Sequence, residues 1–453
     1  MDLKDKKILV VGLARTGVAL CRFLAGLGCR VTVTDQAPPD ELKEARREIQ
    51  GLGLRDELGV AQPLWQGYDL IVLSPGVTPE LPWLEAARQA GIPVGGELEV
   101  ASPFITRPLI AVSGTNGKTT TTALVGELLR ASGFNPLVGG NIGTPLISLL
   151  GRQEEAHCLV VEVSSFQLDT APNFHPQAAA LLNITPDHLD RYPDFDAYAA
   201  SKAGLFRGQG PGDLRVLNAD DPWVAALGRD APGRVYYFST ARILPEGAWM
   251  NHGAIQVRLA HGREAAFPLG EILLPGRHNL ENVMAALLLA LDFGADPAAC
   301  RRALASFKGL HHRLEWVASI RGVDFYDDSK GTNVGAVACS LAYFDRPVIL
   351  IAGGRDKDSD FSLLAPLLRQ HAKALILLGE TRERLAQVWG DLAPAYLVGD
   401  MAEAVTRAFK LAQPGEVVLL SPACASFDMF RDYVHRGETF QRLVGELKDA
   451  GSS

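Results

Sequence analysis

The stretch Leu109-Ile-Ala-Val-Ser-Gly-Thr-Asn-Gly-Lys-Thr-Thr-Thr121 decides how this chain is read. A short apolar, partly β-branched run ends in a glycine loop, and an apolar-periodic pattern (Ala123, Leu124, Leu128, Leu129) follows. That order predicts a strand, a tight loop and a helix N-terminus. Such a junction turns backbone N–H groups and the positive end of the helix dipole toward an anion. Lys118 adds a positive charge, and the Thr119 hydroxyl suits Mg²⁺. Gly114, Thr115, Asn116, Gly117, Lys118, Thr119 and Thr120 are therefore the expected phosphate contacts of a nucleoside triphosphate. The loop is shorter than a standard Walker A, because Val112 stands where that motif has its first glycine.

Upstream, Lys7-Ile-Leu-Val-Val11 runs into Gly12-Leu-Ala-Arg-Thr-Gly17 and a helical pattern to Leu27. A second strand, Arg30–Thr34, ends at Asp35, and a third, Tyr68–Leu73, ends at Ser74-Pro-Gly76. This is a Rossmann-like β-α-β start. Ala14 replaces the glycine that normally admits a pyrophosphate. The pattern points to a nucleotide and leaves an NAD-linked oxidoreductase as a distant alternative. Downstream of Leu109, strands expected at Cys158–Val163, Ala178–Asn183 and Leu214–Leu217 alternate with helices, which implies a mostly parallel sheet. Val235–Leu274 reads as a small antiparallel appendage, and His278–Ala290 as a helix. A third α/β region has strands at Val348–Ala352, Ala374–Leu378, Tyr396–Val398 and Val417–Leu420. The expected architecture is α/β, with three domains in series at 1–97, 98–309 and 310–453.

Bulk properties narrow the class. The chain has 453 residues, 47% hydrophobic and 21% charged, with a net charge of −8 and no dense Lys/Arg run. A nucleic-acid backbone partner is not expected. No apolar stretch approaches the ~20 residues of a membrane span. Met1–Lys7 lacks a signal-peptide pattern, and the six cysteines form no Cys-x-x-Cys pair. A cytoplasmic protein without membrane contact is expected.

Charged residues recur at predicted strand ends, where open α/β sheets place their ligands. Glu162 lies within the apolar run Leu159-Val-Val-Glu-Val163, just before Ser164-Ser165, and is a candidate Mg²⁺ ligand, since a carboxylate there is costly unless it sits at the strand end facing a ligand. Asp187, His188 and Asp190 follow the next strand. Asp327-Asp-Ser-Lys-Gly-Thr-Asn333, Gly353-Gly-Arg-Asp-Lys357 and Ser421-Pro-Ala-Cys-Ala-Ser-Phe-Asp428 follow strands of the third region and could converge on one cleft. Pattern alone reads Lys202 as an ordinary helical surface lysine. Asn218-Ala-Asp-Asp221 faintly resembles a guanine-reading motif without its lysine, which leaves a P-loop GTPase as another alternative.

Taken together and in order, these motifs resemble the Mur ligase superfamily. Gly140-Asn-Ile-Gly143, Glu162-Val-Ser-Ser-Phe-Gln-Leu168, Asp187-His-Leu-Asp-Arg-Tyr192, His278-Asn279, His312-Arg313, Asp328-Ser-Lys330 and Asp356-Lys357 join the two glycine loops in carrying the resemblance. The ending Ser421–Tyr433 is similar to members that add D-glutamate to UDP-N-acetylmuramoyl-L-alanine. Other Mur ligases and folylpolyglutamate synthase-type ligases share the ATP loop, Glu162 and His188.

The resemblance implies a cytoplasmic, monomeric ATP-dependent ligase of peptidoglycan synthesis acting through an acyl phosphate and a tetrahedral intermediate. It implies that Leu13, Ala14, Arg15, Thr16, Asp35, Ser74, Pro75, Gly76 and Asn141 hold the UDP substrate. Asn279, Asn282, Arg313 and Asp328 would frame ATP, with Lys118, His188 and Lys202 as catalytic groups. Lys330, Thr332, Lys357, Ser426, Phe427 and Tyr433 would surround D-glutamate. Two Mg²⁺ ions would be held by Thr119, Glu162, His188 and Lys202, the last as a CO₂-derived carbamate, which needs a neutral amine.

Overall fold

A computed structural model of the protein describes residues 3–188, 191–274, 276–356 and 359–450, with side chains to residue 447. The strands make three sheets. The first contains β1 (Lys7–Val11), β2 (Arg30–Asp35), β3 (Arg55–Leu58), β4 (Leu70–Leu73) and β5 (Val94–Gly96). Its order is β3-β2-β1-β4-β5, with every pair parallel. The chain turns from one side of β1 to the other, so the turn after β1 opens at a topological switch point.

The second sheet contains β6 (Leu109–Ser113), β7 (Pro136–Gly140), β8 (Cys158–Glu162), β9 (Ala178–Leu181), β10 (Leu214–Asn218), β11 (Arg234–Ser239), β12 (Gly247–Asn251), β13 (Ala254–Arg258) and β14 (Glu264–Pro268). Its order is β14-β13-β12-β11-β10-β9-β6-β8-β7. All five residues of β6 are buried, as a strand covered on both faces requires. The antiparallel pieces expected after Val235 are found at one edge of this sheet, which they extend. β12 pairs parallel with β11, and β13 and β14 then add antiparallel edge strands.

The third sheet contains β15 (Glu315–Ile320), β16 (Val323–Asp327), β17 (Val348–Gly353), β18 (Ala372–Leu378), β19 (Ala395–Leu397) and β20 (Val417–Leu420). Its order is β15-β16-β20-β17-β18-β19, parallel except for the antiparallel edge β15. Registers Asp327↔Leu420 and Ile351↔Leu420 bring the carboxyl ends of β16, β20 and β17 level. The three loops read from the sequence as one possible cleft do leave from one edge.

The chain packs as two compact units. One comprises Met1–Ile184, Ala199–Glu271 and Glu281–Leu304, and holds the first two sheets. The other comprises Thr185–Tyr198, Ile272–Leu280 and Ala305–Ser453, and holds the third. Among the described residues, no helix is long and apolar enough to cross a membrane.

Candidate active site

In the first unit the turn after β1 is built on two glycines. Gly12 has φ +92°, and a Cβ on Gly17 would lie 1.9 Å from the Gly12 carbonyl oxygen, so only glycine lets the helix Arg15–Gly26 start this close. Asp35, at the end of β2, accepts the Leu13 N–H at 2.7 Å and the Ala37 N–H at 2.9 Å. Ser74 donates its hydroxyl to the Gly12 carbonyl at 2.8 Å. These groups line a cavity of about 480 Å³ with Ala14, Arg15, Thr16, Pro75, Gly76 and Asn141. All the first-domain residues expected to touch a UDP substrate lie in or beside it. Leu13 itself is wholly buried, so its backbone rather than its side chain faces Asp35.

The loop after β6 is held from β9. Asn183 accepts the Thr115 N–H on its carbonyl (2.9 Å) and the Asn116 N–H on its side chain (2.8 Å), and donates back to the Asn116 carbonyl (3.2 Å). Gly117 takes φ +85° at the start of the helix Lys118–Ala131. A Cβ there would strike the Asn282 amide oxygen at 2.1 Å, so the loop glycine serves both its own turn and the approach of Asn282. Lys118 Nζ donates to the carbonyls of Gly114 (2.9 Å) and Thr115 (2.8 Å), folded back over the loop.

Glu162 is the last residue of β8, in register with Val112 and Gly140, so it stands at the loop's edge of the sheet. It is only 1% exposed. One carboxylate oxygen accepts the Asn141 side-chain N–H at 3.0 Å, and the other has no hydrogen-bond partner among the described residues. A buried carboxylate oxygen left this way costs free energy, and a hard cation would remove that cost. The surface reading of Lys202 is wrong: the side chain is 2% exposed and its Nζ donates to the Gly114 carbonyl at 2.8 Å. The helix Phe195–Ala203 carries small residues around Lys202, and its packing, not its periodicity, buries the amine.

His188, in the second unit, sits at φ 56°, a conformation rare for a side chain other than glycine. Asp187 accepts the His188 backbone N–H (3.0 Å) and the Asn333 side-chain N–H (2.9 Å). Asp190 and Lys357 lie outside the described residues.

Asp328 is fully enclosed. It accepts from Ser340 (2.6 Å), Ser421 (2.7 Å) and the Leu314 N–H (3.3 Å), and burial raises its carboxyl above the usual range while Arg313 opposes the shift. Asn279 is buried, and Lys330 Nζ lies 5.5 Å from the centre of the Tyr433 ring. The Thr332 N–H donates to the Lys330 carbonyl. Ser426 is buried, whereas Phe427 is 63% exposed.

Sequence reasoning gave no role to Asn183, Glu97, Arg436 or His312, the last quoted only within a motif that carries the resemblance. Asn183, the clamp on the phosphate loop, is signalled only by its place at the end of an expected strand. Arg436 is buried and donates to Ser329 and to the Cys424 carbonyl, and burial lowers its pKa to about 10. His312 pairs with Asp327 at 2.7 Å, which holds its imidazole above the usual histidine range. Asn218–Asp221 is structural. Asn218 donates to the Leu182 carbonyl, Asp220 takes Ser239 and Thr240, and Asp221 accepts the Ile184 N–H and caps the helix Pro222–Ala226.

Three family descriptions match the chain: the MurD-like N-terminal domain at residues 6–96, the Mur ligase middle domain at 112–290, and the Mur ligase glutamate ligase domain at 312–424. A UDP-N-acetylmuramoylalanine–D-glutamate ligase from Geotalea daltonii is 47% identical over 448 residues, covering 99% of each chain. One from Geobacter metallireducens is 47% identical over 453 residues, again covering 99% of each. Among solved structures, a pseudomurein peptide ligase type C from Methanothermus fervidus is similar in fold, with TM-score 0.61 and 19% identity over 98% of this chain and 100% of that one.

Proposed function

The chain belongs to the Mur ligase family, and on that premise we propose that it is the ATP-dependent ligase that adds D-glutamate to UDP-N-acetylmuramoyl-L-alanine in peptidoglycan precursor synthesis. Full-length similarity to D-glutamate ligases supports the substrate. The observation in the site that carries the chemistry is the enclosed oxygen of Glu162 that has no hydrogen-bond partner among the described residues, beside a phosphate-type loop.

The alanine carboxylate is a poor electrophile. It attacks the γ-phosphate of ATP and becomes an acyl phosphate, ADP leaves, and the D-glutamate amine adds to the activated carbonyl. The tetrahedral intermediate collapses to amide and phosphate. Two anions must approach in the first step, so fixed positive charge lowers its barrier most. Residues 114–120 take the ATP phosphates through loop N–H groups and the Lys118 ammonium, which must swing from the Gly114 and Thr115 carbonyls to do so. Asn279, Asn282 and Arg313 bind the nucleotide, and Asp328 acts through Arg313, whose following N–H it holds. Leu13–Thr16, Asp35, Ser74–Gly76 and Asn141 bind the UDP substrate. Lys330, Thr332, Lys357, Ser426, Phe427 and Tyr433 bind D-glutamate.

The carboxylate of Glu162, the Thr119 hydroxyl, His188 and Lys202 as its carbamate fit Mg²⁺, because all offer hard oxygen or imidazole donors. Bound there, Mg²⁺ offsets negative charge on the phosphates. The carbamate hypothesis rests on a lysine enclosed beside the phosphate loop. Full activity in Lys202→Ala, or activity indifferent to bicarbonate depletion, removes it. The enzyme acts as a cytoplasmic monomer on small-molecule substrates.

Mass spectrometry of a reaction with ATP, UDP-N-acetylmuramoyl-L-alanine and D-glutamate tests the assignment. A nucleotide product heavier by one glutamyl residue, formed with ADP, is expected. ADP release with no such product overturns it.

A further inference from the structure

Glu97 lies where the first sheet hands over to the second. It follows β5, starts the short helix Glu97–Ala101, and is 2% exposed. Its two oxygens reach different segments. Oε1 accepts the Ile147 N–H at 3.0 Å, and Oε2 accepts the Gln167 side-chain N–H at 3.3 Å. Neighbouring residues tie the same joint. The Gly96 N–H donates to the Thr170 carbonyl at 2.8 Å, and Glu99 accepts from the backbone and side chain of Asn173.

Both segments held by Glu97 flank Glu162. On one side, the helix containing Ile147 ends a loop that begins at Asn141. The Gly140 N–H donates to the Thr144 carbonyl, the Asn141 N–H donates to the Glu162 carbonyl (2.9 Å), and the Asn141 side chain donates to the Glu162 carboxylate. On the other side, Gln167 Oε1 accepts the Ser164 N–H (3.0 Å) and hydroxyl (3.1 Å). Ser164 is two residues past Glu162, and Ser113, at the head of the phosphate loop, donates to the Val163 carbonyl at 2.8 Å. One buried carboxylate thus joins the two arms that set where the Glu162 side chain points.

We propose that Glu97 is a positioning residue for the cation-binding carboxylate Glu162, acting through Gln167–Ser164 on one side and the Asn141–Ile147 loop on the other. The proposal rests on the ligase reading above only for its activity readout. The polarity of the chain makes a carboxylate necessary. Gln167 must present its amide oxygen to Ser164, so its NH₂ faces Glu97. A glutamine at 97 can satisfy Ile147 with its oxygen, but it then turns a second NH₂ toward Gln167. Flipping Gln167 instead turns its NH₂ on the Ser164 N–H. Burial also raises the Glu97 carboxyl above the usual range, with Ile147 and Gln167 opposing the shift, so removing the charge relieves a desolvation cost. The expected signature is therefore lost function without lost stability.

The test compares the full-length wild type, Glu97→Gln, Gln167→Glu and the double variant Glu97→Gln/Gln167→Glu, which exchanges donor and acceptor. Mn²⁺ binding with a non-hydrolysable ATP analogue, followed by electron paramagnetic resonance, is the readout independent of turnover. For Glu97→Gln, kcat falls and the Mn²⁺ dissociation constant rises, each by about ten-fold, as for partners that orient metal ligands, while the melting temperature is not lowered. The double variant recovers both to within about three-fold of wild type, because donor again meets acceptor. The proposal is overturned if Glu97→Gln leaves kcat and Mn²⁺ affinity within about two-fold of wild type, or if the folded double variant is no better than Glu97→Gln. If wild type binds Mn²⁺ but forms no glutamyl product, the ligase reading fails and the Mn²⁺ comparison still decides on Glu97.

Discussion

The carboxyl end of the central sheet and the carboxyl end of the third sheet bury charge in opposite ways. At the first, Glu162 has an enclosed oxygen with no hydrogen-bond partner among the described residues. At the second, Asp327, Asp328 and Arg436 are as deeply buried, yet each is met several times over. Asp328 takes two hydroxyls and an N–H. Asp327 takes the Ser329 N–H, His312 and Gln441. Arg436 spends its donors on Ser329, Cys424 and Ala425. An incompletely met charge is a binding group awaiting its ligand, whereas a fully met one is a fastener for loops. The first should carry rate and the second stability.

The sharpest way to break this comparison is Glu162→Gln. The side chain keeps its shape and loses its charge, so kcat should fall by about a thousand-fold while folding stability is unchanged or higher. Phosphate release and urea unfolding on the same protein check both halves. Loss of stability without loss of rate would reverse the assignment. The mirror experiment is Asp327→Ala, which removes the carboxylate that His312 and the Ser329 N–H face. It should cost about 3 kcal/mol in unfolding free energy, the range for breaking a buried pair.

The His312–Asp327 pair gives a pH signature. The folded-state pKa of His312 is raised, chiefly by its hydrogen bond to Asp327, with Glu315 and Glu438 adding to the attraction. Its contribution is therefore complete below the unfolded histidine value and lost as pH rises through the raised folded value. The stability gap between wild type and His312→Gln should be widest near pH ~6 and shrink toward pH ~9. A gap that widens with pH would contradict the pairing.

The first-sheet pocket offers a smaller test, because it holds by shape and backbone. Asp35→Ala loosens the turn at Leu13, so KM for the UDP substrate should rise about ten-fold with kcat little changed. A fall in kcat alone would move Asp35 into the chemistry.

Much of the site was legible because it is local. The apolar run into Gly114–Thr120, the Gly12–Gly17 turn, Glu162 in its apolar run and the acidic loop from Asp327 are contiguous patterns whose meaning does not depend on distant packing. β3 was illegible because Arg55-Asp-Glu-Leu58 is a polar edge strand, and β5 because Val94-Gly-Gly96 is three residues long. Lys202 and Glu97 were illegible for a deeper reason. Each is a polar residue on a helix whose burial is imposed by segments remote in sequence, Gly114 in one case and Ile147 and Gln167 in the other. The choice of D-glutamate was legible only through resemblance, since no spacing of Lys330, Ser426 and Tyr433 distinguishes one amino acid from another.

The measurement that tests the central claim most directly is phosphate release with ATP and UDP-N-acetylmuramoyl-L-alanine across a panel of amino acids that includes both enantiomers of glutamate. The account predicts turnover selective for D-glutamate. Selective turnover with L-glutamate, or phosphate release indifferent to the amino acid, would contradict it.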